Sequence, residues 1–190
     1  AVLSRWSRVR ESLLERARKK YRVAMIVLKA SDFGIPQNRE RMFLIGIRRD
    51  EYWGDDEELK FDLQARIASR EKEPRTVGQV VRELGRAGTD GNPRICKAKI
   101  TYARSPVLRR SPYAGMLFNG AGRPLPANGC ATTLPASMGG NKTPIVDESV
   151  IFENAPSFVE EYHSHLWEGG KPYSGLAPAN LRRLTIDECL

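Results

Sequence analysis

One loop between two apolar runs limits the possible folds of this chain more than any other feature. The loop contains Gly34 and Pro36 and leads directly into an apolar run at residues 42–47, and a second apolar run, at residues 21–28, precedes it. Glycine and proline favour turns, whereas short apolar runs bounded by turns are typical of strands. Because the connection is too short for a crossover helix, we expect the two strands to pair antiparallel.

The same loop carries three polar side chains at alternate positions, Gln37, Arg39 and Arg41. In an extended backbone, alternate side chains point to one side. Two guanidiniums and an amide offer many donors and few acceptors, so this side suits a phosphate, a carboxylate or the carbonyl edge of a base. The alternative is an ordinary charged strand start in which Arg41 pairs with a nearby acid.

Composition agrees with a protein that meets nucleic acid. A chain of 190 residues with 41% hydrophobic content can form one domain with a modest second lobe. It contains no apolar run of membrane-spanning length and no signal-peptide pattern. Three cysteines without metal or disulfide spacing suit a reducing compartment. A net charge of +8 and a pI near 9.6 favour a polyanionic partner.

Periodicity predicts three helices. Residues 3–20 form a basic amphipathic pattern that includes Leu3, Trp6 and Leu13. After a charge-dense stretch at 49–75, expected to be an exposed connection, Thr76 is a candidate N-cap for a helix that Gly85 ends. A last helix is predicted from Pro156 onward. Its two histidines, His163 and His165, are two residues apart, a spacing that points them away from each other and disfavours a shared metal ion.

Residues 89–156 are rich in glycine and proline and lack periodicity. Irregular segments of this length are normally functional or disordered, and interspersed aromatic residues here favour function. Within it, Ser137, Gly139 and Gly140 belong to a loop whose backbone can approach phosphates or bases closely. Asn141 suits adenine, and Lys142 suits guanine or a phosphate.

A second candidate contact is Arg123, which follows the flexible sequence Asn119-Gly120-Ala121-Gly122 and suits guanine or a phosphate. Arg104, Arg109 and Arg110 are expected to contact phosphates, which position a protein without specifying sequence. For each of these residues the alternative is an ordinary surface turn.

Three stretches together resemble the DNA (cytosine-5-)-methyltransferase family, and they cover roughly residues 20–190. Phe33-Gly34-Ile35-Pro36-Gln37-Asn38-Arg39-Glu40-Arg41 resembles its Gln-x-Arg-x-Arg motif. Residues 130–144, Cys-Ala-Thr-Thr-Leu-Pro-Ala-Ser-Met-Gly-Gly-Asn-Lys-Thr-Pro, resemble the Thr-Leu and Gly-Gly region of its target recognition domain. Arg182-Arg183-Leu184-Thr185-Ile186-Asp187-Glu188 resembles the motif that opens the helix after that domain.

The resemblance implies an α/β fold, in which an antiparallel strand pair with helices forms the edge portion of a Rossmann-like methyltransferase sheet. A small, irregular, mostly β target recognition domain accompanies it. The domains expected are the C-terminal part of the catalytic domain at 1–50, a connection and helix at 51–88, the target recognition domain at 89–180 and a return helix at 181–190.

The resemblance also implies a reaction and a partner, double-stranded DNA. The target cytosine leaves the duplex, a cysteine thiolate attacks C6, an acid engages N3 and S-adenosylmethionine methylates C5. Arg41 matches the arginine at the cytosine O2, and Arg39 matches the arginine that supports the active-site loop, while Gln37 holds local structure. Thr133 and Leu134 match the dipeptide at the base of the recognition loops, with Thr133 near a backbone phosphate. A DNA-associated enzyme of the bacterial cytoplasm, of the restriction-modification kind, is expected.

The family's nucleophile stands in Pro-Cys, but Cys96, Cys130 and Cys189 follow Ile, Gly and Glu. The Gly-rich cofactor loop is also absent, and Glu153-Asn154-Ala155, although similar to the family's acid motif, lies on the wrong side of Gln37. We therefore expect an inactive fragment that binds no S-adenosylmethionine and no metal by itself and needs the missing N-terminal catalytic part. The alternatives are an autonomous DNA-binding module or one subunit of a split methyltransferase.

Overall fold

The computed structural model describes residues 7–190, which form two units. The first unit contains the chain up to Gly34 together with Arg39–Glu73, and the second contains Ile35–Asn38 together with Pro74–Leu190. Both helices and strands are present, in agreement with the predicted α/β class. Leu3 and Trp6 of the predicted basic helix lie outside the described residues.

The first unit is built on one antiparallel strand pair. Its elements are helix α1 (Ser7–Arg18), strand β1 (Tyr21–Lys29), a 3₁₀ turn (Ala30–Asp32), strand β3 (Glu40–Arg48) and helix α2 (Asp56–Ala68). Tyr21 lies opposite Arg48 and Lys29 opposite Glu40, which confirms the predicted antiparallel pairing. The two helices pack against β1, whose residues Val23, Ala24 and Ile26 are buried with Leu59 of α2.

Helix α2 corrects the prediction that the charge-dense residues 49–75 form an exposed connection. The Asp55 carboxylate accepts hydrogen bonds from the amides of Glu57 and Glu58, and the Glu58 side chain accepts one from the Asp55 amide, so a complete capping box begins the helix. Acidic residues in this first turn also stabilise the helix, because they interact favourably with the positive end of its dipole. Only Leu59 of this helix is buried, so its apolar stripe is too narrow to show in the sequence.

The second unit contains three two-stranded sheets and three helices among its described elements. Strand β2 (Gln37–Asn38) pairs parallel with β6 (Ala131–Thr132), and two further pairs are antiparallel, β4 (Tyr102–Val107) with β5 (Met116–Phe118) and β7 (Ile145–Asp147) with β8 (Leu181–Arg183). The helices are α3 (Val77–Leu84), α4 (Glu148–Glu153) and α5 (Phe158–Trp167). Helices α3 and α5 confirm the predicted ones, with Thr76 capping α3 and Gly85 ending it at a φ of 88°.

The helix predicted for residues 181–190 is wrong in its first part. Residues Leu181–Arg183 form strand β8, and only a 3₁₀ turn at Asp187–Cys189 is helical. Thr185 and Glu188 form a reciprocal capping box before this turn, since the Thr185 amide donates to Glu188 Oε2 at 2.9 Å and the Glu188 amide donates to Thr185 Oγ1 at 3.1 Å. Pairing with β7 extends the backbone before the cap. Across residues 7–190, no helix has both the length and the apolar character needed to cross a membrane.

Candidate nucleic-acid interface

Arg39 directly precedes β3 and Arg41 is the second residue of that strand; both belong to the first unit, and both are exposed. The Arg39 carbonyl accepts a hydrogen bond from the Ala30 amide at 2.9 Å, which closes the loop between the two strands. The Arg41 guanidinium donates to the backbone carbonyl of Glu40 at 2.7 Å. Within residues 7–190, no carboxylate forms an ion pair with either arginine, so the alternative in which Arg41 pairs with a nearby acid is not observed.

Gln37 belongs to the second unit, where its strand joins two of the predicted motifs. Gln37 lies opposite Ala131 in the β2–β6 pair, and the Ala131 amide donates to the Pro36 carbonyl at 2.8 Å. The Thr133 hydroxyl donates to the Asn38 carbonyl at 3.4 Å. The fold thus places Gln37 and Asn38, the first residues of the Gln-x-Arg-x-Arg motif, in contact with the Thr-Leu region, which lies about a hundred residues later in the sequence. A common side for Gln37 and the two arginines stays a prediction.

The two candidate recognition loops, residues 119–123 and 139–143, meet through their backbones. The Gly122 amide donates to the Asn141 carbonyl at 3.1 Å. A Cβ on Gly120, which has a φ of 89°, would overlap the Asn141 carbonyl oxygen, and one on Gly122 would overlap that of Thr143. Only glycine allows this approach. The turn before Arg123 and the Gly-Gly loop therefore form one surface rather than two alternative ones.

Arg123, Thr133, Leu134 and Lys142 line one cleft on this surface, with a volume of about 160 Å³. Cavities that enclose small ligands measure roughly 300–1,000 Å³, so this cleft can accommodate an edge or a phosphate of a larger partner. Arg123 and Lys142 are both exposed and cationic. Their donors suit phosphate oxygens and the acceptor edge of guanine.

The other predicted contacts lie outside the cleft. Ser137, Gly139, Gly140 and Asn141 are exposed beside it, and nothing stands within 4 Å of where a Cβ of Gly139 or Gly140 would lie. Arg109 and Arg110 follow β4 and are exposed, with the Arg109 carbonyl accepting a hydrogen bond from His163 Nε2 at 2.8 Å. Among residues 7–190, no group of three potential metal ligands is found.

A family model described as C-5 cytosine-specific DNA methylase matches residues 9–190. The chain belongs to the C-5 cytosine-specific DNA methylase family. The resemblance seen in the motifs is therefore confirmed, and at the level of the family the reaction is methylation of cytosine in DNA. A comparison with curated proteins found no match.

In this methylase chain, one residue beside the cleft was not predicted from the sequence. Arg183 on β8 is fully buried, and its guanidinium donates to backbone carbonyls of both loops. Burial lowers the pKa of Arg183 below its ordinary value. Two adjacent arginines between Leu181 and Leu184 were the available signal, because charged residues are rarely placed in such a short apolar context without a partner.

Proposed function

We propose that this chain supplies target recognition, and an arginine of the cytosine pocket, to a sequence-specific DNA cytosine-5 methyltransferase. One observation carries the proposal: glycine-mediated contact between two loops brings the cations of Arg123 and Lys142 to a single cleft beside Thr133. Two cations at one cleft match the spaced phosphates and acceptor edges of duplex DNA.

In the proposed mechanism, the residues of the cleft and the arginines of the first unit have different tasks. Lys142 and Arg123 contact bases or nearby phosphates, and Thr133 contacts the backbone, while Arg109 and Arg110 hold more distant phosphates. Arg41 faces the O2 of the flipped cytosine, where a fixed cation stabilises charge that develops on the ring. The free guanidinium donors of Arg41 agree with this role, since its described partner is a single carbonyl.

The strand pair of the first unit supports the view that it is the edge portion of a larger sheet. Strand β3 contains no buried residue, and Phe43 and Leu44 remain 45% and 44% exposed. Val27 of β1 is similarly exposed. Isolated two-stranded sheets are marginally stable, and an exposed apolar strand is a site for further pairing. We infer that the remainder of the catalytic domain covers these residues.

The cavity of about 650 Å³ in the second unit has a lining that does not favour S-adenosylmethionine. Lys97 and Arg94, which forms an ion pair with Asp187, line it together with two threonines and apolar side chains. The cofactor carries a positively charged sulfonium and an ammonium group, and no Asp or Glu side chain of the described residues lines this cavity to meet them. Because the family's Gly-rich cofactor loop and its Pro-Cys do not occur in residues 1–190, we propose that the cofactor and the cysteine nucleophile belong to the N-terminal catalytic part of the enzyme.

Methyl transfer from labelled S-adenosylmethionine to duplex DNA tests this proposal. The purified chain alone should transfer no label, whereas addition of the N-terminal catalytic part of a family member should restore transfer. DNA binding without restored transfer would favour an autonomous DNA-binding module. Transfer by the chain alone, or the absence of both binding and transfer, would overturn the proposal.

A further inference from the structure

The guanidinium of Arg183 links the two recognition loops from inside the second unit. Its Nη1 donates to the Thr143 carbonyl at 2.6 Å and to the Gly122 carbonyl at 3.2 Å, and its Nη2 donates to the Asn119 carbonyl at 3.1 Å. All three acceptors belong to residues that flank or form the cleft. Arg183 has no exposed surface, so it contacts no DNA itself.

This arginine is buried without a counter-charge in the part of the chain that the structure describes. The neighbouring Arg182 instead takes two carboxylates, those of Glu148 and Glu188. Burying an unpaired cation is costly, and an apolar side chain of similar volume would usually be tolerated at lower cost. Arg183 Nε also has no hydrogen-bond partner among residues 7–190. Three charge-assisted hydrogen bonds to loop carbonyls offset this cost and require a fork-shaped donor that lysine does not provide.

Backbone hydrogen bonds also join the two loops and the residues that follow them. The Gly122 amide donates to the Asn141 carbonyl, and the Ile145 amide donates to the Arg123 carbonyl at 2.9 Å. Residues Gly140–Lys142, by contrast, form a single exposed 3₁₀ turn. Exposed backbone with few buried apolar contacts has low local stability. The position of this turn, and with it that of Lys142 relative to Arg123, therefore depends in part on the hydrogen bond from the buried guanidinium to the Thr143 carbonyl.

We propose that Arg183 is a positioning residue for target recognition: it holds loops 119–123 and 139–143 in one arrangement, so that Arg123 and Lys142 contact DNA as a unit. The expected effect of Arg183 on sequence preference rests on the proposed function, whereas its effect on the arrangement of the two loops does not. Loss of the guanidinium should separate the loops while leaving every exposed cation in place.

Amide hydrogen exchange on the 190-residue chain tests the structural part. In Arg183→Met, the amides of Gly122, Lys142 and Thr143 should exchange about ten-fold faster or more, and in both loops together, because each hydrogen bond to a charged group contributes on that scale. Arg183→Lys should show a smaller acceleration. The matched control is Val159→Ala, which shortens a buried side chain of α5 and is expected to accelerate exchange without selecting the loops. The inference would be overturned if the loop amides of Arg183→Met exchanged no faster than those of Val159→Ala, or if exchange became faster in one loop only.

Methylation of a random-sequence duplex pool by the reconstituted enzyme, read by bisulfite sequencing, tests the consequence. Arg183→Met should flatten the sequence preference without changing the salt dependence of binding. Gly122→Ala, whose Cβ would overlap both the Thr143 carbonyl oxygen and Arg183 Nη1, should do the same by displacing this contact from the other side. If Lys142→Ala and Arg123→Ala flatten the sequence preference but Arg183→Met and Gly122→Ala do not, the positioning role of Arg183 is wrong and the proposed function still stands. If none of the four variants changes the preference, the proposed function fails.

Discussion

Arg182 and Glu188 form a two-point ion pair inside the second unit, with Nη1 donating to Oε2 at 2.7 Å and Nη2 to Oε1 at 2.6 Å. The Glu188 side chain has no exposed surface, and Glu148 accepts a third hydrogen bond from Arg182 Nε. Burial alone would lower the pKa of Arg182, but these two carboxylates raise it above its ordinary value. Glu188 also caps the turn after Thr185, and Glu148 is the first residue of helix α4. Arg182 therefore ties β8 to this turn through Glu188 and to α4 through Glu148.

Removal of one partner should therefore be strongly destabilising. We expect Glu188→Ala to lower the free energy of unfolding by about 3–5 kcal/mol, because Arg182 keeps a single carboxylate partner, Glu148, and the Thr185 cap is lost. Urea unfolding followed by circular dichroism measures the change. Glu168→Ala, on an exposed residue after α5, is the control and should stay within about 0.5 kcal/mol of the parent chain. A similar small effect of Glu188→Ala would contradict the structural importance of the pair.

Asp56 should make the stability of the chain depend on pH. Burial by itself would raise the pKa of this carboxyl, but the Val23 amide and the Arg18 guanidinium hold it below the ordinary 3.8. A depressed folded-state pKa contributes stability that is complete above the unfolded value and is lost as pH falls through the folded one. At pH 7, Asp56→Asn should cost about 1.5 kcal/mol, at the low end for a charged hydrogen bond because Arg18 is half exposed.

The measurement for Asp56 is the difference in unfolding free energy between parent and Asp56→Asn at pH 7 and near pH 3. This difference should shrink at the lower pH. Glu71→Gln, on an exposed carboxylate just after α2, is the control for general acid effects. A difference that stays constant with pH would show that Asp56 acts through packing rather than charge.

Lys142 and Arg109 should affect DNA binding in different ways. In competition binding, Lys142→Ala should reduce discrimination between target and near-target duplexes by about 1–3 kcal/mol, the energy of a good base contact. Arg109→Ala should weaken all duplexes alike and lower the slope of log affinity against log salt by about 0.9, the value for one phosphate. Asn141→Ala is expected to behave like Lys142→Ala, and Arg110→Ala like Arg109→Ala. If only Arg123→Ala altered discrimination, Arg123 would be the base-reading residue of the cleft.

Arg41 should matter for turnover far more than for DNA affinity. In the reconstituted enzyme, Arg41→Ala should reduce the methylation rate roughly 10²–10³-fold, the usual loss for a charge-stabilising donor at a reacting group. Arg48→Ala is the matched control, because Arg48 lies on the same strand, is exposed and pairs with Asp50. Turnover within a few-fold of the parent would make Arg41 a structural cation instead.

Local patterns predicted those elements in which backbone preference and burial agree. The antiparallel pair followed from two apolar runs and a short loop, and helix α3 followed from the Thr76 cap, its apolar positions and Gly85. Helix α2 was missed because one buried leucine makes a poor periodic signal, although Asp55 and Glu58 are the capping pair in plain sequence. Strand β8 was missed because a three-residue strand depends on its partner β7 rather than on its own residues.

The sequence by itself determined the family of this protein, because motif residues such as Gln37, Arg39 and Arg41 are local and ordered along the chain. It also identified Arg123 and Lys142 as candidate DNA contacts, but as members of two separate loops. Only the tertiary structure decided that Arg123 and Lys142 belong together, since close backbone approach at Gly120 and Gly122 depends on residues about twenty positions away. It also decided the different partners of adjacent arginines: Arg182 meets carboxylates, whereas Arg183 meets loop carbonyls. Side chains on opposite faces of one strand enter different surroundings, and no property of the local sequence specifies them.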